Sequence, residues 1–264
     1  MTYCLGISVN EGLVFISDSR TNAGVDQINT FSKMHVFAQD RRFLVLLSAG
    51  NLATTQGVIS HLGRDIKQNP SENLYTQETV RDAANYVGEI SRVEQQRYLQ
   101  ENEEKTGVRE ATFLLGGQIE GEEPRLLMIY PEGNSIRATD ETCFLQLGET
   151  KYGKPILDRI LEKTTSVDRA LMCGLVSMDS TMKSSALVGP PIEYTIYLRD
   201  TYCQAIQHTL DQNDEFLVQL RQAWSDHIKK AFPSLPLAPG LSSLKTFYKG
   251  NVLKLKQKHK KQPK

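Results

Sequence analysis

No apolar run in this chain exceeds about six residues, Phe43-Leu44-Val45-Leu46-Leu47 being typical, whereas a membrane-spanning helix needs roughly 20. The first 20 residues lack the basic, apolar and small-residue zones of a signal peptide. Together these absences predict a cytoplasmic protein that does not engage a membrane. Cysteine is scarce: Cys4, Cys143, Cys173 and Cys203 form no CxxC pair and no metal-ligand spacing, and they read as reduced, mostly buried thiols. There is no excess of charge of either sign, with 31 Lys and Arg against 31 Asp and Glu. A neutral chain gives no electrostatic reason to expect nucleic acid as a partner. Familiar chemical motifs are missing as well. There is no G-x-S-x-G elbow, no HExxH and no EF-hand loop. "GETKYGKP" (148–155) falls short of a phosphate-binding loop because Pro155 stands where a hydroxyl should hold magnesium. "STMK" (180–183) and "KTG" (105–107) occur in the reverse order for a penicillin-binding enzyme, without the SDN element.

What is present is an ordinary globular composition on a chain of 264 residues, long enough to bury a sizeable core. Residues 3–9 and 13–18 are apolar and β-branched around Asn10-Glu11-Gly12, a hairpin pattern. A second strand pair, 34–38 and 43–47, follows across a polar turn. Val58, Ile59, Leu62 and Ile66 recur at helical spacing and predict a helix over about 51–67. A longer helix is expected over about 77–103, from Val80, Ala83, Ala84, Val87, Ile90 and Val93. Four strands (111–115, 126–130, 135–138, 143–147), two helices (151–163, and 167–182 capped by Ser166) and two more strands come next. A last helix is expected over about 212–231. Strands in runs and helices in pairs exclude β-α-β alternation. The natural packing is an α+β, four-layer αββα sandwich, two antiparallel sheets between helix layers.

The expected domain is 1–232, including that last helix. Beyond it, 233–264 is a tail, first Pro- and Gly-rich and then "KTFYKGNVLKLKQKHKKQPK", with eight lysines and no acid. It reads as a solvated tail or as a docking arm for a neighbouring subunit or an acidic partner.

The start of the chain is unusual. A polar Thr2 follows Met1 and leads directly into the first strand. Either the chain begins there by economy, or the terminus is itself a functional group. An α-amino group titrates near about 7.7–8.0 and is partly a free base at neutral pH. A terminal threonine therefore carries its own general base beside its hydroxyl, and Thr2 is small enough for Met1 to be removed. Three features gather around it. Asp18 ends the second strand, next to the strand that Thr2 opens. Lys33 precedes the third strand, and a lysine in an interior position needs a partner, for which Asp18 is the obvious candidate. Gly50 lies where a strand gives way to a helix, a place that offers backbone N–H groups to an oxyanion.

These residues resemble the proteasome β-subunit superfamily of N-terminal nucleophile (Ntn) hydrolases, and within it the bacterial ancestral β-subunit (Anbu) branch. The segments that carry the resemblance are Thr2, "DSRTNAG" (18–24), Lys33-Met34 and "SAGNLATTQ" (48–56), within a likeness over roughly residues 2–210. The resemblance implies the same αββα fold. It makes Thr2 the nucleophile, Lys33 the group that lowers its hydroxyl pKa, Asp18 the residue that orients Lys33, Gly50 the oxyanion donor and Asp179 a supporting carboxylate near the amine. Asn22 would contact the substrate backbone, while Thr21, Phe31, His35, Ser48 and Leu52 would shape the side-chain pocket. Departures fall on the supporting residues. The Asp18-to-Lys33 interval is one residue shorter than usual. "LGET" offers Gly148 or Glu149 where the family has a serine, Thr54 replaces a common aspartate, and "STMKSSALVGPP" is longer than its counterpart.

The function implied is a threonine peptidase or amidase that hydrolyses peptide amide bonds through an acyl-enzyme ester on Thr2, with no metal or organic cofactor. The alternative is a weakly active or inactive self-assembling scaffold subunit. The expected partners are copies of the chain itself, in a ring or open helical homo-oligomer, and a peptide or protein substrate. The resemblance also implies a functional link to transglutaminase-like and ATP-grasp ligase proteins.

Overall fold

A computed structural model describes residues 2–22, 28–69, 71–99, 110–239, 241 and 247–248. Its architecture starts from the hairpin read in the sequence. β1 (Tyr3–Val9) and β2 (Gly12–Asp18) pair antiparallel, with Val9 opposite Gly12 across a two-residue turn. Every residue of both strands is buried, because one face meets a second sheet and the other a helix layer. That is why these strands read as near-continuous apolar runs rather than as alternating ones.

The short pair β3 (Arg20–Asn22) and β4 (Ile28–Thr30) follows and was not expected from the sequence. Then come β5 (Met34–Gln39), β6 (Arg42–Gly50), α1 (Leu52–Gln68) and α2 (Val80–Leu99). Next are β7 (Ala111–Ile119), β8 (Arg125–Ile129), β9 (Ser135–Arg137) and β10 (Phe144–Gly148). The chain continues through α3 (Thr150–Ile160), α4 (Val167–Ser184), β11 (Ile192–Leu198), β12 (Gln204–Leu210) and α5 (Glu215–Ala231).

The strands form two five-stranded antiparallel sheets, β10-β1-β2-β11-β12 and β5-β6-β7-β8-β9. The αββα sandwich is therefore the observed fold. α3 and α4 pack on the first sheet, α1 and α2 on the second. β6 shows how alternation builds two cores. Phe43, Val45 and Leu47 face Cys4, Phe15, Leu145 and Tyr197 between the sheets. Leu44 and Leu46 face Val58, Leu62, Ala84 and Val87 of the helix layer. Phe43 and Tyr197 stack with ring centroids 4.8 Å apart, joining the sheets across the middle.

Element ends differ from expectation for local reasons. α2 begins at Val80, not 77, because the Thr79 hydroxyl accepts the Asp82 N–H at 3.0 Å and stops the helix there. Its expected extension to 103 lies partly outside the described residues. β7 runs four residues further than read, paired with β6 as far as Arg42 opposite Ile119. Ser166 occupies the cap of α4 but makes no side-chain capping bond. Instead the Val167 N–H donates to Glu11 Oε2 at 2.8 Å, so the β1–β2 turn supplies the cap. Pro155 lies inside α3, which starts at Thr150.

The chain divides into two compact units, Met1–Val218 and Gln219–Lys264. All the strands named above and α1–α4 belong to the first, and α5 begins in it. The second holds the remainder of α5, and most of the Lys-rich segment lies outside the described residues. No helix among the described residues is long and apolar enough to cross a membrane.

Candidate active site

Thr2 stands immediately before β1, and the end of β10 fixes its backbone. Tyr3 lies opposite Gly148, and the Glu149 N–H donates to the Thr2 carbonyl at 2.8 Å. Gly148 has φ +81°, and a Cβ there would collide with the Thr2 carbonyl oxygen. Only glycine lets the chain turn here while the terminus lies against it.

The next residue ties this strand to the interior in two directions. The Tyr3 N–H donates to Asp18 Oδ1 at 3.0 Å. The Tyr3 hydroxyl lies 2.6 Å from Ser177 Oγ on α4 and accepts from Gln146 Nε2 at 2.6 Å. Burial pushes the pKa of this phenol up to about 12. Cys4 is also fully buried, and burial raises its thiol well above the ordinary range. It packs as a core residue beside the site, its Sγ reaching the Ser48 carbonyl at 3.6 Å.

The ion pair expected between Asp18 and Lys33 is present, with Nζ 2.7 Å from Oδ1. The side chains are 9% and 0% exposed, so the pair is effectively removed from water. The Lys33 ammonium also donates to the Arg20 carbonyl at 2.7 Å, and the Gly189 N–H reaches Asp18 Oδ2 at 3.4 Å. Burial drives the Asp18 pKa up, while Lys33 and the two N–H donors pull it down; the net direction is upward from the ordinary 3.8.

In front of this pair lies a cavity of about 820 Å³, with Thr2, Thr21, Lys33, Ser48, Gly50 and Leu52 on its walls. Phe31 and His35 line it as well, and burial holds the His35 pKa below the ordinary 6.5. Asn22 belongs to β3, but its side chain lies outside the described residues. Asp18 backs the cavity through Lys33. Asp179 is buried on α4 and is not on the cavity wall. Gly50 has φ +114°, and a Cβ there would strike the Glu110 carbonyl. Glycine is thus required at that place by the neighbouring strand, before any ligand is considered.

One wall was missed in the sequence. Thr55, Gln56, Ile59 and Ser60 of α1 line the cavity together with Leu52. Their spacing of three and four residues puts them on one helix face, but three of the five are polar, so an apolar period does not reveal them. Asn51 caps the same helix, its Oδ1 accepting the Thr54 N–H at 3.1 Å, and this directs the first turn of α1 at the cavity.

Two five-stranded antiparallel sheets, each covered by a pair of helices, define the Ntn-hydrolase fold. The proteasome subunit family model matches residues 2–197, and the chain belongs to that family. It is similar to Anbu (ancestral beta-subunit) from Yersinia bercovieri, with 42% identity, 89% of this chain and 99% of that one covered, and a TM-score of 0.84. The Anbu complex from Pseudomonas aeruginosa, solved as a helical assembly, is 42% identical, with 90% and 98% covered and a TM-score of 0.85. Anbu from Hyphomicrobium sp. strain MC1 is 40% identical, with 89% and 99% covered and a TM-score of 0.81. No curated protein matches by sequence.

Proposed function

We propose that the protein is a threonine peptidase or amidase whose nucleophile is the Thr2 hydroxyl, exposed as the mature terminus once Met1 is removed. The observation that carries this reading is the position of Thr2 on a ligand-sized cavity whose wall also includes Lys33, the buried partner of Asp18. An ammonium has three protons. Two go to Asp18 and the Arg20 carbonyl, and the third is the one that would meet the Thr2 hydroxyl and favour its alkoxide. The α-amine takes the proton as the oxygen attacks the amide carbon. The developing oxyanion is stabilised by the Gly50 N–H. The amine then returns its proton to the leaving nitrogen, which departs and leaves an ester on Thr2. Water, deprotonated by the same amine, hydrolyses that ester. Asp18 acts through Lys33 and is a positioning residue. Asp179, on α4, would act on the amine from outside the cavity wall.

We also read the chain as self-associating, with the helical assembly of the Pseudomonas aeruginosa Anbu complex as the support. The scaffold alternative has one observation on its side: Gly148 brings no side chain to the Thr2 backbone, where the family supplies a serine. The two readings part on turnover. Wild-type protein incubated with a mixed pool of peptides should generate new termini detectable by mass spectrometry, and Thr2→Ala should generate none. Equal cleavage by both proteins, or by neither, rules out the peptidase.

A further inference from the structure

The walls of the cavity beside Thr2 carry a chemical bias. Its best-enclosed lining residues are Ser48, Thr55, Lys33 and Ala49, 5%, 6%, 7% and 9% exposed. Phe31, Leu52 and Ile59 supply apolar flanks. Among the described residues no aspartate or glutamate lines it; Asp18 lies behind Lys33 and is fully buried. Lys33 is the one lysine or arginine on the wall, and it is paired with Asp18. His35 also lines the cavity, and burial favours its neutral ring, which offers one donor and one acceptor. Thr21 is on the wall too, and its Oγ1 is buried with no hydrogen-bond partner among the described residues.

These features decide which side chain fits. A lysine or arginine entering the cavity would lose water, find no carboxylate and approach the Lys33 ammonium, and a desolvated unpaired charge is the costliest group to bury. A purely aliphatic side chain would take water from the Ser48 hydroxyl and the His35 ring without replacing its hydrogen bonds, and unpaired polar groups in a pocket lower affinity. The volume lies within the usual range of about 300–1,000 Å³ for ligand pockets, so a large side chain has room.

We propose that this cavity selects substrates by a large, uncharged, hydrogen-bonding side chain of the tyrosine or glutamine type and turns away lysine and arginine, with His35 and Ser48 as the specificity-determining contacts. The proposal rests on the Thr2 reading only in assigning the pocket to the acyl side of the scissile bond.

Selectivity is tested apart from catalysis by using the Thr2→Ala chain, which cannot turn over. Fluorescent peptides differing only in a C-terminal tyrosine, glutamine, leucine, lysine or arginine are titrated against it by fluorescence polarisation. Tyrosine and glutamine should bind at least about tenfold more tightly than lysine and arginine, with leucine between. Gln56→Glu, placed in the same background on the exposed rim of the cavity, should raise the affinity of the arginine peptide relative to the tyrosine peptide by about threefold, the scale of an exposed ion pair. Arginine binding as tightly as tyrosine overturns the proposal, and so does a failure of every peptide to bind. In parallel, wild-type protein is treated with peptide epoxyketones bearing the same side chains. If none labels Thr2 while the binding order holds, the nucleophile reading fails and the pocket selectivity stands.

Discussion

Exchanging the two members of the buried pair, singly and together, tests how the site is held. Asp18→Asn keeps the shape and leaves an amide oxygen for the Tyr3 N–H, but it strands the Lys33 ammonium at 9% exposure. Removing one partner of a buried ion pair costs about 3–5 kcal/mol; with the amide oxygen retained, the lower end, about 3 kcal/mol, is expected. Lys33→Met strands a carboxylate instead. That carboxylate keeps the N–H groups of Tyr3 at 3.0 Å and Gly189 at 3.4 Å. Its pKa already lies above the ordinary value, so it can escape its charge by taking a proton. The cost should be smaller, about 2 kcal/mol. The double variant carries no buried charge and should lose no more than about 2–3 kcal/mol, well short of the sum of about 5. The assay is urea unfolding at pH 7 and one protein concentration, since self-association would shift the apparent stability. A coupling of at least about 2 kcal/mol is expected. Losses that add to within about 0.5 kcal/mol would refute the view that these two charges depend on each other.

Three further outcomes are expected. Gly148→Ala forces a side chain into φ +81° and onto the Thr2 carbonyl; labelling of Thr2 by a threonine-directed electrophile should slow by tenfold or more, since small misplacements of a reacting group are costly, and an unchanged rate would contradict this. Tyr3→Phe leaves Ser177 Oγ and Gln146 Nε2 without the hydroxyl between them and should cost about 1–3 kcal/mol by urea unfolding; a loss below about 0.5 kcal/mol would count against that network. On acidification the labelling rate should fall first as the Thr2 amine protonates, near about 7.7–8.0, and again with a second midpoint above the ordinary 3.8 of a carboxyl, because the raised Asp18 pKa discharges the pair early. The sign for stability is the opposite. A carboxyl whose folded pKa is raised favours the native state below the unfolded pKa and loses that contribution as pH rises through the folded value. Wild type should therefore gain stability relative to Asp18→Asn as pH falls from the folded value towards 3.8, while labelling declines.

Much of the fold is legible in the sequence because its strands and helices are long enough to show a period. The β1–β2 hairpin, α1 and the pairing of Asp18 with Lys33 all follow from local pattern and the cost of burying charge. The β3–β4 pair is not legible, since three-residue strands carry no period. Nor is the Tyr3–Ser177–Gln146 network, whose members lie up to 174 positions apart and each read alone as an ordinary core or helix residue. Gly50 teaches a different lesson. Its place at a strand-to-helix junction suggests room for a ligand, whereas the nearest constraint on it is the Glu110 carbonyl of the adjoining segment. The cavity wall on α1 escapes notice because Leu52, Thr55, Gln56, Ile59 and Ser60 share a face without sharing polarity. Asp179 is buried on α4, and its supporting role comes from the resemblance rather than from any local pattern.

The central claim is that the Thr2 hydroxyl and its own amine form one catalytic unit. Intact mass spectrometry of the protein purified from cells, before and after treatment with a β-lactone, tests it most directly. The account predicts a chain lacking Met1 that gains a single adduct on Thr2, and no adduct on Thr2→Ala. A chain that retains Met1, or an adduct that survives Thr2→Ala, would contradict it.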